Sequence, residues 1–343
     1  MKGKKTFLPA MVVICLLVGV LVILLISNLS NKKTASEVKA GDAAVKKDVP
    51  TPQASLSPLV STQTTANFAT LVESPTPPPG STPMSPQRSP KEGMVRLPAG
   101  TFTMGCVDND SQCLSWEKPA HSVTVSAFWM DQHLVTVAEY EKCVNAEACK
   151  TPMTTTDQWA EFYNWNNTER ANHPVNGVTW HDANTYCRWR GKRLPTEAEY
   201  EFALRDGKKG KINPWGDSAL PPHQYGNYAD EKLKSRYPKW PTLFKGYRDG
   251  YSGTSPICTF AKSHFGLCDI SGNVWEWCAD WFDEKYYSSS PADNPAGPAV
   301  GQFRVLRGGG FALGWGAQRA SVRYKEKFFS QGFDLGFRCV QDE

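Results

Sequence analysis

The residue types that most often perform catalysis are absent from a glycine- and arginine-framed segment near the C-terminal end of the chain. From Arg304 until Glu326, the sequence RVLRGGGFALGWGAQRASVRYK contains no Cys, His, Asp or Glu. Its glycines do not open a helix with the Lys-Ser or Lys-Thr pair of a phosphate-binding loop. No Ser-His-Asp signature is visible either. The segment therefore contains no recognisable catalytic centre of its own.

The histidines of the chain do not form a metal-binding pattern. They are scattered and show no HxxxH pairing, and they are His121, His133, His173, His181, His223 and His264. We interpret His181, which follows a tryptophan on a predicted helix, as a surface or second-layer residue. His121, at the start of a predicted strand, is interpreted as structural. The histidines thus indicate no catalytic metal.

The cysteines indicate an oxidising compartment. Nine of the ten lie after residue 93. The close pairs are Cys106 with Cys113 and Cys143 with Cys149. Neither pair is a Cys-x-x-Cys, and no histidine pair follows at zinc-finger spacing, so short-loop disulfides are favoured over zinc. Each disulfide would contribute about 2–3 kcal/mol in the chain-entropy model. Nine is an odd number, so we expect one free thiol, at Cys278.

The N-terminal part of the chain predicts a membrane anchor on a stalk. Residues 7–26 form an uncharged apolar run long enough to cross a bilayer as a helix. A cleaved signal peptide is the alternative, but its apolar core is normally shorter. We expect residues 1–6 to be a cytoplasmic stub and 27–93, rich in Pro, Ser and Thr, to be a disordered linker. The chain is then predicted to be a single-pass membrane protein, with the domain of residues 94–343 outside the cytoplasm.

The composition of residues 94–343 indicates one large domain of α+β class. All twelve tryptophans lie in it, and its acids and bases nearly balance, which argues against a nucleic-acid partner. Three capping boxes predict short helices; they are Thr136 with Glu139, Thr179 with Asp182 and Thr196 with Glu199. Short β-prone runs such as HSVTVSAFWMD and FRVLRGGGF lie between long loops. The pattern predicts few regular elements and extensive cross-linking.

Several segments together resemble one family. They are LPAGTFTMG (97–105), GKRLPTEAEYE (191–201), DISGNVWEWCADW (269–281), RVLRGGGF (304–311) and LGFRC (335–339). In this order they are similar to the sulfatase-modifying-factor, or formylglycine-generating-enzyme-like, domain, and the resemblance covers nearly all of residues 94–343. It implies an α+β fold related to C-type lectins, poor in regular secondary structure and stabilised by disulfides and calcium.

The resemblance implies two structural calcium sites. The first would use Asn227, Tyr228, Asp249 and Tyr251, and the second Asp269, Gly272, Val274 and Glu276. Carboxylates mixed with loop carbonyls suit calcium. On spacing alone, however, the acids of RDGYSG and DISGN are better explained as turn caps. The family pattern also implies a disulfide between Cys187 and Cys339, and we expect Cys258 and Cys268 to pair across one loop.

The resemblance fails where the family's oxidase holds copper. That enzyme binds copper(I) between two cysteines shortly after the glycines, and a soft metal requires thiolates. Here Leu313 and Gln318 stand at about those positions, and no cysteine lies between Cys278 and Cys339. Copper is therefore not expected. A second branch of the family uses iron held by a preceding His-rich domain, and residues 28–93 of this chain contain no His.

The segment 311–334 is instead expected to line a ligand groove. The candidate ligand contacts are Phe311, Leu313, Trp315, Gln318, Arg319, Arg323 and Tyr324. Aromatics and arginine are typical of binding hot spots, although several of them could equally belong to the core. The sequence thus favours a calcium-stabilised binding or accessory module for a peptide, protein or glycan. The alternative is a formylglycine-generating-type oxidoreductase with a non-standard centre.

Overall fold

The structure is a computed structural model that describes residues 91–207, 210–240 and 244–343. The anchor predicted at 7–26 and nearly all of the predicted linker lie outside these residues. Within the described part of the chain, no helix has both the length and the apolar character needed to cross a membrane.

Four α-helices are present in the described ranges. They are α1 (Val137–Asn145), α2 (Trp180–Trp189), α3 (Glu197–Leu204) and α4 (Glu231–Arg236). The first three begin at the predicted capping boxes, with the threonine side chain and the acid exchanging hydrogen bonds with each other's backbone N–H. The fourth helix was not predicted; the Asp230 side chain caps it by accepting the Leu233 N–H.

The β-strands form three small sheets. The strands are β1 (Met94–Leu97), β2 (Gly100–Met104), β3 (His121–Val125), β4 (Phe128–Asp131), β5 (Trp275–Trp281), β6 (Phe303–Arg307), β7 (Tyr324–Lys327), β8 (Leu335–Gly336) and β9 (Val340–Asp342). Their orders are β1-β4-β9, β2-β3 and β7-β6-β5-β8. All pairings are antiparallel except that of β5 with β8. The predicted β-prone runs are confirmed.

The third sheet positions the C-terminal segment. In it, the GNVWEW segment continues into β5, and the RVLRGGG segment begins in β6 and ends after it. Trp277 lies opposite Leu306, and Trp281 lies opposite Arg304. The register shifts between the two pairs, as at a β-bulge. Helix α3 packs against β5 and β6 and is buried on every side, including its three glutamates. Buried carboxylates require cationic partners. Arg307 of β6 and Arg323 supply them for Glu201 and Glu197, whereas Glu199 is paired with Arg193.

Four disulfides cross-link the fold. They join Cys106 to Cys113, Cys143 to Cys149, Cys187 to Cys339 and Cys258 to Cys268. Cys278 is free and buried. These pairings and the free thiol agree with every expectation from the sequence. The longest link ties α2 to the residue before β9, across a sequence separation of 152.

Candidate functional site

The segment after the glycines is held in place by the side chain of Gln318. This side chain is almost fully buried, and its Nε2 donates to the carbonyls of Gly310 at 3.2 Å and Leu313 at 3.3 Å. Its Oε1 accepts a hydrogen bond from the Ser271 hydroxyl at 3.3 Å. Gly309 permits this close approach, because a Cβ there would lie 2.3 Å from the Gln318 Oε1. Gln318 thus closes the turn that contains Leu313.

Arg319 lies in a buried acidic pocket. Its guanidinium is 2.7 Å from a carboxylate oxygen of Asp110 and 2.7 Å from one of Glu117. Cys113, whose sulfur lies in the same cluster, is committed to a disulfide. Asp110, Cys113 and Glu117 could superficially suggest a metal site, but the guanidinium already compensates the two carboxylates. This cluster is a structural anchor of the segment.

Arg323 is anchored in the same manner on helix α3. It donates to both carboxylate oxygens of Glu197, at 2.6 and 2.8 Å. Burial opposes ionisation of Glu197, but the charges of Arg323 and Arg307 hold the pKa of this carboxyl below its usual value. Arg307 also pairs with Glu201 at the centre of the fold. A chain of alternating charges therefore fixes the segment to α3.

These contacts correct part of the predicted ligand surface. Phe311, Gln318, Arg319 and Arg323 were expected to face a groove, but all four are buried. The three polar side chains hydrogen-bond to backbone carbonyls or carboxylates inside the protein, and Phe311 packs on Phe162. They do not line an open surface in this structure.

Three of the predicted contacts still border solvent. Leu313, Trp315 and Tyr324 are partly exposed. Trp315 packs against a second aromatic cluster, and its Nε1 is buried without a hydrogen-bond partner among the described residues. Tyr324 stacks on Trp275 with ring centroids 5.3 Å apart. The accessible part of the segment is thus a short turn and one face of β7.

The first predicted calcium group comes together in the structure. The Asp249 carboxylate accepts the N–H groups of Tyr228 at 2.9 Å and Tyr251 at 2.8 Å. The Asn227 Oδ1 is buried and has no hydrogen-bond partner within the described ranges. Burial raises the pKa of Asp249 to about 7. An uncompensated carboxylate beside an unused amide oxygen fits a hard cation.

The second predicted calcium group fits a cation less completely. One oxygen of Asp269 accepts the Cys258 N–H at 2.7 Å, and the other is buried and unpartnered in the described structure. Burial raises the pKa of Asp269 to about 6. Glu276, in contrast, is already bound by Arg338 at 2.7 and 2.8 Å and by the Tyr200 hydroxyl at 2.8 Å. Asp269 therefore fits a calcium ligand better than Glu276 does.

Sequence reasoning did not identify the acidic partners of the buried arginines. Glu197 and Glu201 are four residues apart, so they lie on the same face of α3. The sequence signal for these buried acids was their spacing in GKRLPTEAEYE, on a helix that also carries core residues. It predicts a need for cations but does not say which arginines provide them.

The fold and the site define a mixed α/β domain with few regular elements, cross-linked by disulfides and anchored by buried ion pairs. Residues 80–343 match the model of the sulfatase-modifying factor enzyme 1-like domain, and the chain belongs to that family. Its fold is that of the formylglycine-generating-enzyme-like domains.

The chain is similar to relatives named formylglycine-generating enzyme and to relatives named inactive C-alpha-formylglycine-generating enzyme 2. It is 34% identical over 287 residues to the formylglycine-generating enzyme of Streptomyces coelicolor, covering 73% of this chain and 89% of that protein. It is 32% identical over 288 residues to the inactive C-alpha-formylglycine-generating enzyme 2 of Bos taurus, covering 72% and 87% respectively. The family is therefore shown, whereas the activity is not.

Two solved structures have a similar fold. PvdO from Pseudomonas aeruginosa is 27% identical, with a TM-score of 0.61, covering 73% of this chain and 94% of that one. Treponema denticola variable protein 1 is 21% identical, with a TM-score of 0.53, covering 73% and 95%. The second likeness concerns the fold alone.

Proposed function

We propose that this protein is a membrane-anchored, extracytoplasmic binding or accessory module that does not use copper. It would recognise a peptide, protein or glycan through the exposed parts of its C-terminal segment. The observation that carries the proposal is the pair Leu313 and Gln318 at the positions where the family resemblance places the copper cysteines. One is an aliphatic side chain, and the other is a buried amide bound to the backbone.

The cysteines do not fit a copper(I) site, which requires thiolates. Eight of the nine described cysteines form disulfides. The ninth, Cys278, is fully buried, and burial raises the pKa of its thiol well above the usual value. A protonated thiol is a poor metal ligand.

The relatives leave one alternative in place. A relative named inactive supports a non-catalytic role, whereas the identity to a formylglycine-generating enzyme supports an oxidoreductase of sulfatase modification with a non-standard centre. The substituted cysteine positions favour the first.

We also propose calcium as a structural cofactor at two sites. The buried, unpartnered oxygens of Asn227 and Asp269 support it, together with the raised pKa values of Asp249 and Asp269. A calcium ion would supply the positive charge that these carboxylates lack, and would thereby stabilise the loops that carry them.

The test of the main proposal is an oxidation assay on the full chain. The protein is loaded with copper(I) and offered a Cys-x-Pro-x-Arg peptide, and oxygen uptake and peptide aldehyde are measured. We expect neither. Formation of the aldehyde at an enzymatic rate by the natural sequence would overturn the proposal. A Leu313→Cys, Gln318→Cys double variant is the matched control, because it supplies both thiols; circular dichroism checks that loss of the Gln318 hydrogen bonds leaves its fold intact.

A further inference from the structure

One arginine of the third sheet differs from the buried arginines around it. The guanidinium carbon of Arg304 lies 3.7 Å from the ring centroid of Trp180 and 3.4 Å from that of Trp281, so both of its faces are covered by indole rings. Trp180 is fixed in turn, because its Nε1 donates to the Cys278 carbonyl at 2.8 Å. The Arg304 guanidinium is therefore held between the Trp180 and Trp281 rings with one edge directed away from them.

Arg304 makes no ion pair with a described carboxylate, although the charge of Asp280 acts on it and Glu326 lies opposite it on β7. Among the described residues no acidic oxygen lies within ion-pair distance of it, whereas each of the buried arginines has one; these are Arg205, Arg307, Arg319, Arg323 and Arg338. One terminal nitrogen donates to the Ala279 carbonyl, and Nε is buried without a partner. Burial lowers the pKa of this guanidinium to about 10. Because Nε is enclosed and one terminal nitrogen is used, the other terminal nitrogen is the donor left for an anionic group from outside the chain.

Apolar side chains extend the same surface. Phe328 packs edge-on against Trp281 at 5.9 Å, and Phe329 packs edge-on against Phe328 at 5.2 Å. Phe329 is 57% exposed and Val300 is 81% exposed. Val300 immediately precedes Gly301, whose backbone lies against Trp281. Phe329 is thus connected to Trp281 through Phe328, and Val300 through the neighbouring Gly301. These two side chains are the most exposed large hydrophobic side chains of the described structure. Such patches mark interaction sites.

We name this surface the tryptophan–arginine patch; it consists of Trp180, Trp281, Val300, Arg304, Phe328 and Phe329. We propose that it docks a protein segment in which an aspartate or glutamate adjoins a large apolar residue. The carboxylate would accept from the free edge of Arg304, and the apolar side chain would cover Phe329 and Val300. This inference rests on the proposed binding function and names the partner's chemistry.

Charge and shape favour a protein over a glycan. Lys327, whose Nζ lies 5.6 Å from the centre of the Phe329 ring, adds a second cation to the rim. The exposed aliphatic side chain of Val300 offers no flat face and no hydrogen bond, so sugar hydroxyls placed on it would lose water without compensation. Aromatic residues and arginine are also enriched in protein interfaces.

The experiment uses the full chain and short synthetic peptides. The peptides contain a Leu-Asp or Phe-Glu pair, and matched peptides contain Leu-Asn or Phe-Gln. We expect the acidic peptides to bind and their amide counterparts to bind about tenfold more weakly, since charged hydrogen bonds to arginine are strong. Phe329→Ser and Arg304→Gln should each weaken binding by a similar factor. Leu220→Ser, at another exposed hydrophobic, should leave binding unchanged.

The outcomes separate this inference from the proposed function. Phe329→Ser changes only an exposed side chain, so circular dichroism should show an intact fold even if Arg304→Gln is unstable. If Phe329→Ser does not change peptide binding, the tryptophan–arginine patch is not the docking site, but the proposed binding function is not affected. Binding of an acidic polysaccharide but of no peptide would overturn the partner class. If sedimentation shows a dimer of the natural chain and Phe329→Ser dissociates it, the patch binds a second copy of this chain and not a peptide partner.

Discussion

The strongest test of the anchoring network is the removal of Arg323. Its side chain and that of Glu197 are essentially inaccessible, and they are joined by two hydrogen bonds of 2.6 and 2.8 Å. Arg323→Ala would leave the Glu197 carboxylate with Arg307 at 3.8 Å and the Tyr287 hydroxyl at 3.1 Å. Breaking one side of a buried pair leaves an uncompensated charge, which costs about 3–5 kcal/mol.

The matched control is an exposed pair. Arg248 lies 3.0 Å from Glu231, but its side chain is 76% exposed, and solvent-exposed pairs contribute about 0–1 kcal/mol. The free energy of unfolding is measured by guanidinium denaturation of the full chain, without reductant so that the disulfides stay intact. We expect Arg323→Ala to be destabilised by several kcal/mol more than Arg248→Ala.

A double variant separates charge from packing. Arg323→Met combined with Glu197→Gln removes both charges and keeps most of the volume, so it should lose less stability than Arg323→Ala alone. If instead Arg323→Ala is no more destabilised than Arg248→Ala, the network is not an anchor, and Arg323 becomes available again as a ligand contact. A loss of ligand binding by Arg323→Ala therefore has meaning only beside this stability measurement.

Three further predictions concern the remaining cross-links and buried acids. Replacing Cys187 and Cys339 by alanine should lower the free energy of unfolding, measured by denaturation, by about 5 kcal/mol in the chain-entropy model. The same replacement of Cys106 with Cys113, or of Cys143 with Cys149, should lower it by about 2 kcal/mol. Equal losses would contradict the loop-length argument. Burial raises the pKa of Asp280 to about 8. The stability contributed by this protonated carboxyl is complete at low pH and is lost as the pH rises through that value. Asp280→Asn should therefore flatten the decline of the unfolding free energy with rising pH, and an unchanged slope of that decline would refute the assignment. Chelation of calcium should lower the melting temperature of the natural chain but lower that of Asp269→Asn by less; indifference of both to the chelator would exclude the calcium proposal.

Local features of the fold were predictable because their signals are local. The capping box from Thr179 to Asp182 spans four residues, and the helix begins where the sequence places it. The pairing of Cys187 with Cys339 is different, since only the family resemblance indicated it. The burial of Arg323 was not predictable, because Glu197 is 126 residues away and reaches it only through the packing of α3 on the third sheet. An arginine among aromatics looks the same in sequence whether its partner is a ligand or a distant glutamate.

The buried anchors of the C-terminal segment are compatible with the proposed binding surface. Gln318, Arg319 and Arg323 fix the middle of the segment through buried contacts, so the turn at Trp315 and the turn at Phe329 extend from a rigid base. Substitutions in those exposed turns remove few buried contacts and should change stability little, whereas they change the side chains that a partner would meet. If the segment binds a partner as proposed, these anchors would preorganise a surface whose specificity could vary independently of the fold.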